Sequence, residues 1–199
     1  MPYLVEPALP AGTLRALAQP DLDVDDRLSL RPWRADDAPV VKAAFDCPDI
    51  QRWHVRRMDG DDEARAWITG WAAHWAAEVD TSWAVVDPAD QPVGQVGLRT
   101  VSLVEGSAQL SYWVLPDARG SGVAVRAALT VTRWTFDVLG LHRVFLQHST
   151  ANRPSCRVAT KLGFSFEGTS RGSIRHADGW HDVHTHARLH TDDDRPQRT

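Results

Sequence analysis

The sequence predicts a mixed α/β (α+β) fold: a mostly antiparallel sheet flanked by helices, with one central β-α-β crossover that sets two strands parallel. Three observations predict it. Residues 82–87, 92–102 and 108–115 are strand-like segments separated by short turn signals, the pattern of an antiparallel meander. A helical pattern over 122–139 runs directly into a strand pattern over 143–149, and a strand–helix–strand passage makes its two strands parallel. The last two strand patterns, 164–175 and 182–189, are joined around Asp178-Gly179 and form a closing hairpin.

The elements follow in order. Residues 1–26 read as an N-terminal arm, rich in proline and acid, with Arg15 as the one basic group. Residues 27–32 (RLSLRP) alternate apolar and polar, as a half-buried strand does. Asp36 is placed to cap a short helix reaching Phe45, and Pro39 falls early enough in it to be tolerated. Ala64, Trp67, Ile68, Trp71 and Trp75 recur at helical spacing behind Asp61-Asp62-Glu63, acids that suit a helix N-terminus. That stripe reads as core packing. After the meander, Ala124, Ala128, Val131, Thr135 and Val138 mark one face of the 122–139 helix, and Gly140 stops it. A further helix over 154–162 stops at Gly163. Residues 27–190 thus form one domain, and 191–199 a short solvated tail.

Composition excludes several classes. The chain has 199 residues, 43% hydrophobic and 24% charged, which is globular. Its net charge of −4 argues against nucleic acid as a partner. The most apolar stretch, 67–77, is interrupted by Thr69, Gly70 and His74 and falls far short of the ~20 residues that span a bilayer. No basic segment precedes an apolar run at the N-terminus, so no signal peptide is expected. Cys47 and Cys156 are therefore expected as free thiols in a cytoplasmic protein.

The segment with chemical content is Arg119-Gly120-Ser121-Gly122-Val123-Ala124, between a strand and a helix start. Glycines let successive N–H groups turn toward one point, and a helix N-terminus adds positive potential there. The physical reading is a pyrophosphate cradle with Arg119 beside it. No Gly-Lys-Ser/Thr follows, so it is not a P-loop, and the third glycine of a dinucleotide fingerprint is missing.

This segment resembles the Gln/Arg-x-x-Gly-x-Gly/Ala signature of the GNAT superfamily of acyl-CoA-dependent N-acyltransferases. Tyr112-Trp113-Val114-Leu115-Pro116 resembles the strand that leads into it. Asn152-x-x-Ser155-x-x-Val158-x-x-Lys161-Leu162-Gly163-Phe164 resembles the helix that follows the next strand. The likeness is greatest to the RimJ/RimL-like branch, which includes ribosomal-protein N-terminal acetyltransferases. It implies a GNAT fold in which strands 108–115 and 143–149 splay apart around acetyl-CoA. Backbone groups of Trp113, Val114 and Leu115 would bond the pantetheine arm. Arg119, Gly120, Ser121, Gly122, Val123 and Ala124 would hold the pyrophosphate. Asn152 and Ser155 would stand near the thioester, where an acceptor amine attacks directly. A homodimer is compatible with that branch.

The resemblance also exposes departures. The tyrosine that many members carry four residues before the glycine matched by Gly163 is Ala159 here, which leaves Ser155 as the candidate acid for the departing thiolate. An acid common in this branch is replaced by Gln109, which takes no proton. Glu105 in the preceding turn and His54 in the loop between the first two helices are the alternative bases. His148 on the splayed strand is a candidate for orienting cofactor or substrate. Without a carboxylate base, a free α-amine, with a pKa of about 7.7–8.0, suits the site better than a lysine near 10.4. The leading function is transfer of an acetyl group to a peptide or protein N-terminus. The alternatives are a small-molecule amine acceptor such as an antibiotic or metabolite, a succinyl donor, or a CoA-binding sensor without catalysis.

Five of the nine histidines fall between 176 and 190. His184 and His186 share one strand face, which a metal would accept. No cysteine is near them in the chain and acyl transfer needs no metal, so no metal is expected. A hairpin lining the acceptor cleft is, with Trp53-His54 facing Trp180-His181. Charge divides along the domain: residues 27–118 hold 9 basic and 14 acidic groups, and residues 119–190 hold 10 and 4. The basic half is expected to meet the phosphates and the acidic half to form the acceptor cleft.

Overall fold

The structure is a computed structural model that describes residues 4–192; the expected tail lies outside the described residues from 193 onward. The strands are β1 (Leu22–Asp25), β2 (Leu28–Arg31), β3 (Trp83–Val86), β4 (Pro92–Ser102), β5 (Ser107–Val114), β6 (Arg143–Ser149), β7 (Ser165–His176) and β8 (Gly179–Leu189). The helices are α1 (Ala38–Asp46), α2 (Pro48–His54), α3 (Asp61–Ala76), α4 (Val123–Trp134) and α5 (Arg153–Lys161). One sheet runs in the order β1-β2-β3-β4-β5-β6-β8-β7. Every neighbouring pair is antiparallel except β5–β6, the pair joined by α4. The mixed sheet expected from the sequence is the one observed.

Alternation along β5 separates two faces. Ala108 and Leu110 join the main core with Ala127, Ala128 and Val131 of α4. Trp113 turns the other way, against Ala44 of α1 and Ile50 of α2. Trp75, Trp83 and Trp134 pack together with ring centroids 5.3–5.9 Å apart. Gly97 lets two backbones touch, because a Cβ there would lie 2.1 Å from the Thr81 carbonyl oxygen.

The expected arm is tied to the domain. Its residues 22–25 add β1 to the sheet edge. Leu14 is fully buried, and the Trp75 and Trp83 indoles donate to the carbonyls of Leu17 and Pro20. Glu78 accepts from the backbone N–H groups of Gly12, Leu14 and Arg15.

Three local expectations are corrected. Asp36 is exposed and does not cap α1; Asp37 stands at that N-cap, buried, and its carboxylate grips Arg31 at 2.8 and 3.0 Å. Helix α2 occupies the stretch expected as a loop, so His54 is the last residue of a helix. Helix α4 continues into a π turn, Thr135–Leu139, ending at Gly140 with φ +80°. The wider turn rotates the following residues, so Phe136 and Leu139 are buried and Val138 is exposed. Among the described residues no helix is long and apolar enough to cross a membrane.

Candidate active site

Strands β5 and β6 pair only at Ser107–Arg143, Ala108–Val144 and Gln109–Phe145. Beyond Gln109 they separate, each held by its outer neighbour. A cavity of about 850 Å³ opens in the gap, with walls from α2, α3, β5, β6 and α5. That volume lies in the range of small-molecule and cofactor sites.

The edge that β5 shows to the gap is made by alternate residues. The Leu115 N–H donates to the Val93 carbonyl, so Leu115 and, two residues back, Trp113 turn their backbone groups toward β4. The gap receives those of Tyr112 and Val114. This corrects the expectation that Trp113, Val114 and Leu115 share the role: Val114 alone of the three faces the gap. Both exposed carbonyls are covered by side chains. His54 Nε2 lies 3.2 Å from the Tyr112 carbonyl oxygen, and Arg119 Nε donates to that of Val114 at 3.0 Å.

Arg119 therefore lies along the strand edge, its guanidinium also paired with Asp49 at 2.7 Å. The loop behind it turns on Gly120 and Gly122, both at φ +81°, a conformation that favours glycine. The Ser121 hydroxyl closes the turn onto the Ala118 carbonyl. Gly120, Ser121, Gly122, Val123 and Ala124 offer backbone N–H groups with no acceptor among the described residues, as the start of α4 requires. This is an anion-binding geometry.

Across the gap, Asn152 caps α5 by accepting the Ser155 N–H at 3.2 Å. The Tyr112 hydroxyl donates to Ser155 Oγ at 3.0 Å. Ser155 has accepted one hydrogen bond and keeps its own proton, with no acceptor among the described residues. Burial pushes the Tyr112 phenol up to about 12, so it stays protonated. The phenol missing at Ala159, which is fully buried, is thus present on the opposite wall. Sequence reasoning missed Tyr112; its strand parity with Ala108 and Leu110 was the available signal.

The two alternative bases fare differently. Glu105 stays in the turn beyond the paired end of β5, where its N–H meets Ser102, and is not in the cavity wall. His54 is in the wall, but burial pushes it down to about 4, and its Nε2 is engaged with the strand. It is neutral at pH 7. The unfolded chain takes up this proton near 6.5 and the folded chain only near 4, so stability is complete above pH 6.5 and falls as pH drops toward 4. Urea unfolding across that range is expected to show this slope, and His54→Asn to reduce it.

The acceptor side is aromatic and cationic. Trp67 and Trp71 line the cavity, whereas Trp75 is in the core as expected. Arg99 lies 4.5 Å from the Trp71 ring centroid. Burial lowers Arg99 to about 10, which leaves it charged. Among the described cavity-lining residues, Asp49 is the one carboxylate. The expected acidic cleft is not formed by the described residues: Asp37 and Asp90 pair with Arg31, Asp46 with Lys42, and Glu78 holds the N-terminal arm. The basic half contributes Arg157 and Lys161. The closing hairpin does reach the helical side, through Trp53 against His176 at 5.6 Å and His176 against His181 at 4.6 Å. Trp180 faces solvent. His181 bridges Ser149 Oγ (2.7 Å) and Asp178 (2.9 Å), which pins the hairpin to the end of β6.

Comparison with known proteins agrees with this geometry. Residues 27–165 match the acetyltransferase (GNAT) domain family. An uncharacterized N-acetyltransferase of Bacillus subtilis, YoaA, is 26% identical over 148 residues, covering 73% of this chain and 84% of that protein. The spermidine N(1)-acetyltransferase of Escherichia coli K12 is 32% identical over 84 residues, 42% of this chain and 45% of that protein. Among solved structures, Mycobacterium smegmatis RimJ in complex with CoA-disulfide superposes with a TM-score of 0.75 at 23% identity, covering 86% of each chain. With its family matched over most of its length and its sheet splayed in the fold of RimJ, the chain belongs to the GNAT acetyltransferase family and is an acyl-CoA-dependent N-acetyltransferase.

Proposed function

We propose that this enzyme acetylates a free α-amine, that of a peptide or protein N-terminus, in a ternary complex with acetyl-CoA. The observation that carries the reading is the cavity's charge. Its one carboxylate among the described residues is paired with Arg119, while Arg99 and Arg56 line the same wall. A polyamine would bring several positive charges to arginines without an acid to meet them. An α-amine is about one-tenth neutral at pH 7, against roughly one lysine in a few thousand.

Proton bookkeeping closes without a dedicated base. The C–N bond forms as the C–S bond breaks, the amine loses one proton and the departing sulfur gains one. Ser155 donates a hydrogen bond to the charge developing on sulfur, and Tyr112 holds its oxygen from behind. The N–H groups of Gly120 to Ala124 bind the pyrophosphate. Val114 and Tyr112 bond the pantetheine amides once Arg119 and His54 release the strand edge, and Arg119 then turns to the phosphates. Asn152 keeps the first turn of α5 in place.

Thiol release from acetyl-CoA at pH 7 tests the acceptor. Peptides with a free N-terminus are expected to give kcat/KM roughly a few hundred-fold above an N-blocked peptide with an internal lysine, following the neutral fractions. Equal or faster turnover of the lysine peptide or of spermidine overturns the reading.

A further inference from the structure

Of the closing hairpin's histidines, His176 lines the cavity, whereas His184 and His186 do not. His148 on β6 stands opposite His184 on β8, and Leu146 opposite His186, so all three imidazoles lie on the sheet face that α5 covers. His148 and His186 stack at 5.3 Å, and His148 and His184 lie 5.5 Å apart. Phe166 of β7 closes the flank, 5.1 and 5.4 Å from His184 and His186. From α5, Cys156 points into the same space. One donor atom from each of His148, Cys156, His184 and His186 lies within 4.8 Å of all the others. The absence of a nearby cysteine was an effect of reading along the chain; the fold supplies one, immediately after Ser155.

These donors are short of partners. His148 is 7% exposed and His186 4%. His148 Nε2, His184 Nδ1 and both ring nitrogens of His186 are buried without a hydrogen-bond partner. A buried polar atom left so has lost its bonds to water without replacement. His148 Nδ1 donates to the Ser149 carbonyl at 2.8 Å, which leaves the Nε2 lone pair aimed into the cluster, the arrangement that orients metal-bound imidazoles. Three imidazoles and one thiol are a donor set for a borderline-soft ion.

We propose that His148, Cys156, His184 and His186 form a binding site for a tetrahedral divalent metal ion, zinc above all. Metal–ligand bonds of about 2.0–2.3 Å place tetrahedral ligands about 3.3–3.8 Å apart. The donors therefore close in by about 1 Å, which rotation of side chains accomplishes. Cys156 binds as the thiolate and releases its proton to solvent. The ion ties β6 and β8 to α5, the helix that carries Ser155, and so has a positioning role outside the acyl-transfer chemistry.

The test uses tag-free, full-length protein, reduced and stripped with chelator. Zinc is expected to bind with one equivalent per chain and to raise the melting temperature. Cobalt(II) is expected to give the visible bands of a tetrahedral ion and a thiolate-to-cobalt charge-transfer band. Cys156→Ala, at a half-buried position, should fold, lose the charge-transfer band and bind at least ~100-fold more weakly, beyond the usual effect of losing a supporting residue. His184→Asn should weaken binding likewise, which covers the case in which Cys156→Ala fails to fold. His142→Ala, an exposed histidine outside the cluster, should bind as the parent does. Lack of stoichiometric uptake, an octahedral cobalt spectrum, or equal affinity in the parent, Cys156→Ala and His184→Asn overturns the proposal.

Discussion

Ser155→Ala is expected to lower kcat about 10²–10³-fold while leaving KM for acetyl-CoA within a few-fold, the loss typical of one donor to a developing charge. The substitution isolates the hydroxyl, because the cap on α5 uses the Ser155 N–H and survives. Tyr112→Phe is expected to cost about 10-fold, since it removes only the group that holds Ser155 Oγ at 3.0 Å. The double variant should resemble Ser155→Ala alone, because the two hydroxyls act through one hydrogen bond and their losses do not add. Thiol release under saturating amine measures all three. A Ser155→Ala enzyme with parental kcat would remove this serine from the chemistry.

The largest stability effect is expected at Arg31 and Asp37. Both are buried, 5% and 6% exposed, and joined by two hydrogen bonds. Asp90 adds a bond to Arg31 Nε at 2.6 Å, and Asp37 also accepts the Arg34 N–H. The cluster joins β2, the start of α1 and the β3–β4 turn. Asp37→Ala leaves a buried guanidinium with only Asp90 and the Pro32 carbonyl as partners, and the expected loss is about 3–5 kcal/mol. In a chain of this size that lowers the melting temperature by roughly 10 °C. Arg31→Met combined with Asp37→Leu removes both charges and should recover most of the loss. Urea midpoints of the single and double variants decide it; equal destabilisation in both would mean that shape, not charge, governs the cluster.

The parts of the fold that were legible in the sequence share one property: their signal is local. The meander declares itself by alternation and turns, and α4 by its glycine boundaries. The strand β1 and helix α2 also carried local signals. Leu22 and Val24 alternate with acids, and Pro48-Asp49 opens a helix that ends in Arg52 and His54. Each is short, and was absorbed into a neighbouring arm or loop. The π turn was not legible, because one inserted residue per turn leaves no mark in a 3.6-residue count. In the site, the glycine loop could be read from its spacing, and Ser155 was expected from the family resemblance. Tyr112 offered only its strand parity and Cys156 nothing, because each becomes meaningful through a residue on another element: Ser155 for the first, the three histidines for the second. The charge division misled because net charge over a segment says nothing of which side chains point inward.

The divergence of β5 from β6 leaves backbone hydrogen-bonding groups facing a space in the middle of a sheet. Open strand edges attract other strands, and proteins commonly blunt them with charged side chains. Here Arg119 and His54 occupy the two carbonyls. In the proposed complex the same side chains withdraw as a pantetheine arm takes their place. Occupation of the cleft, as proposed, is thus a substitution of one set of hydrogen bonds for another, and the residues that shelter the open edge from unwanted strand partners are the ones a co-substrate would displace.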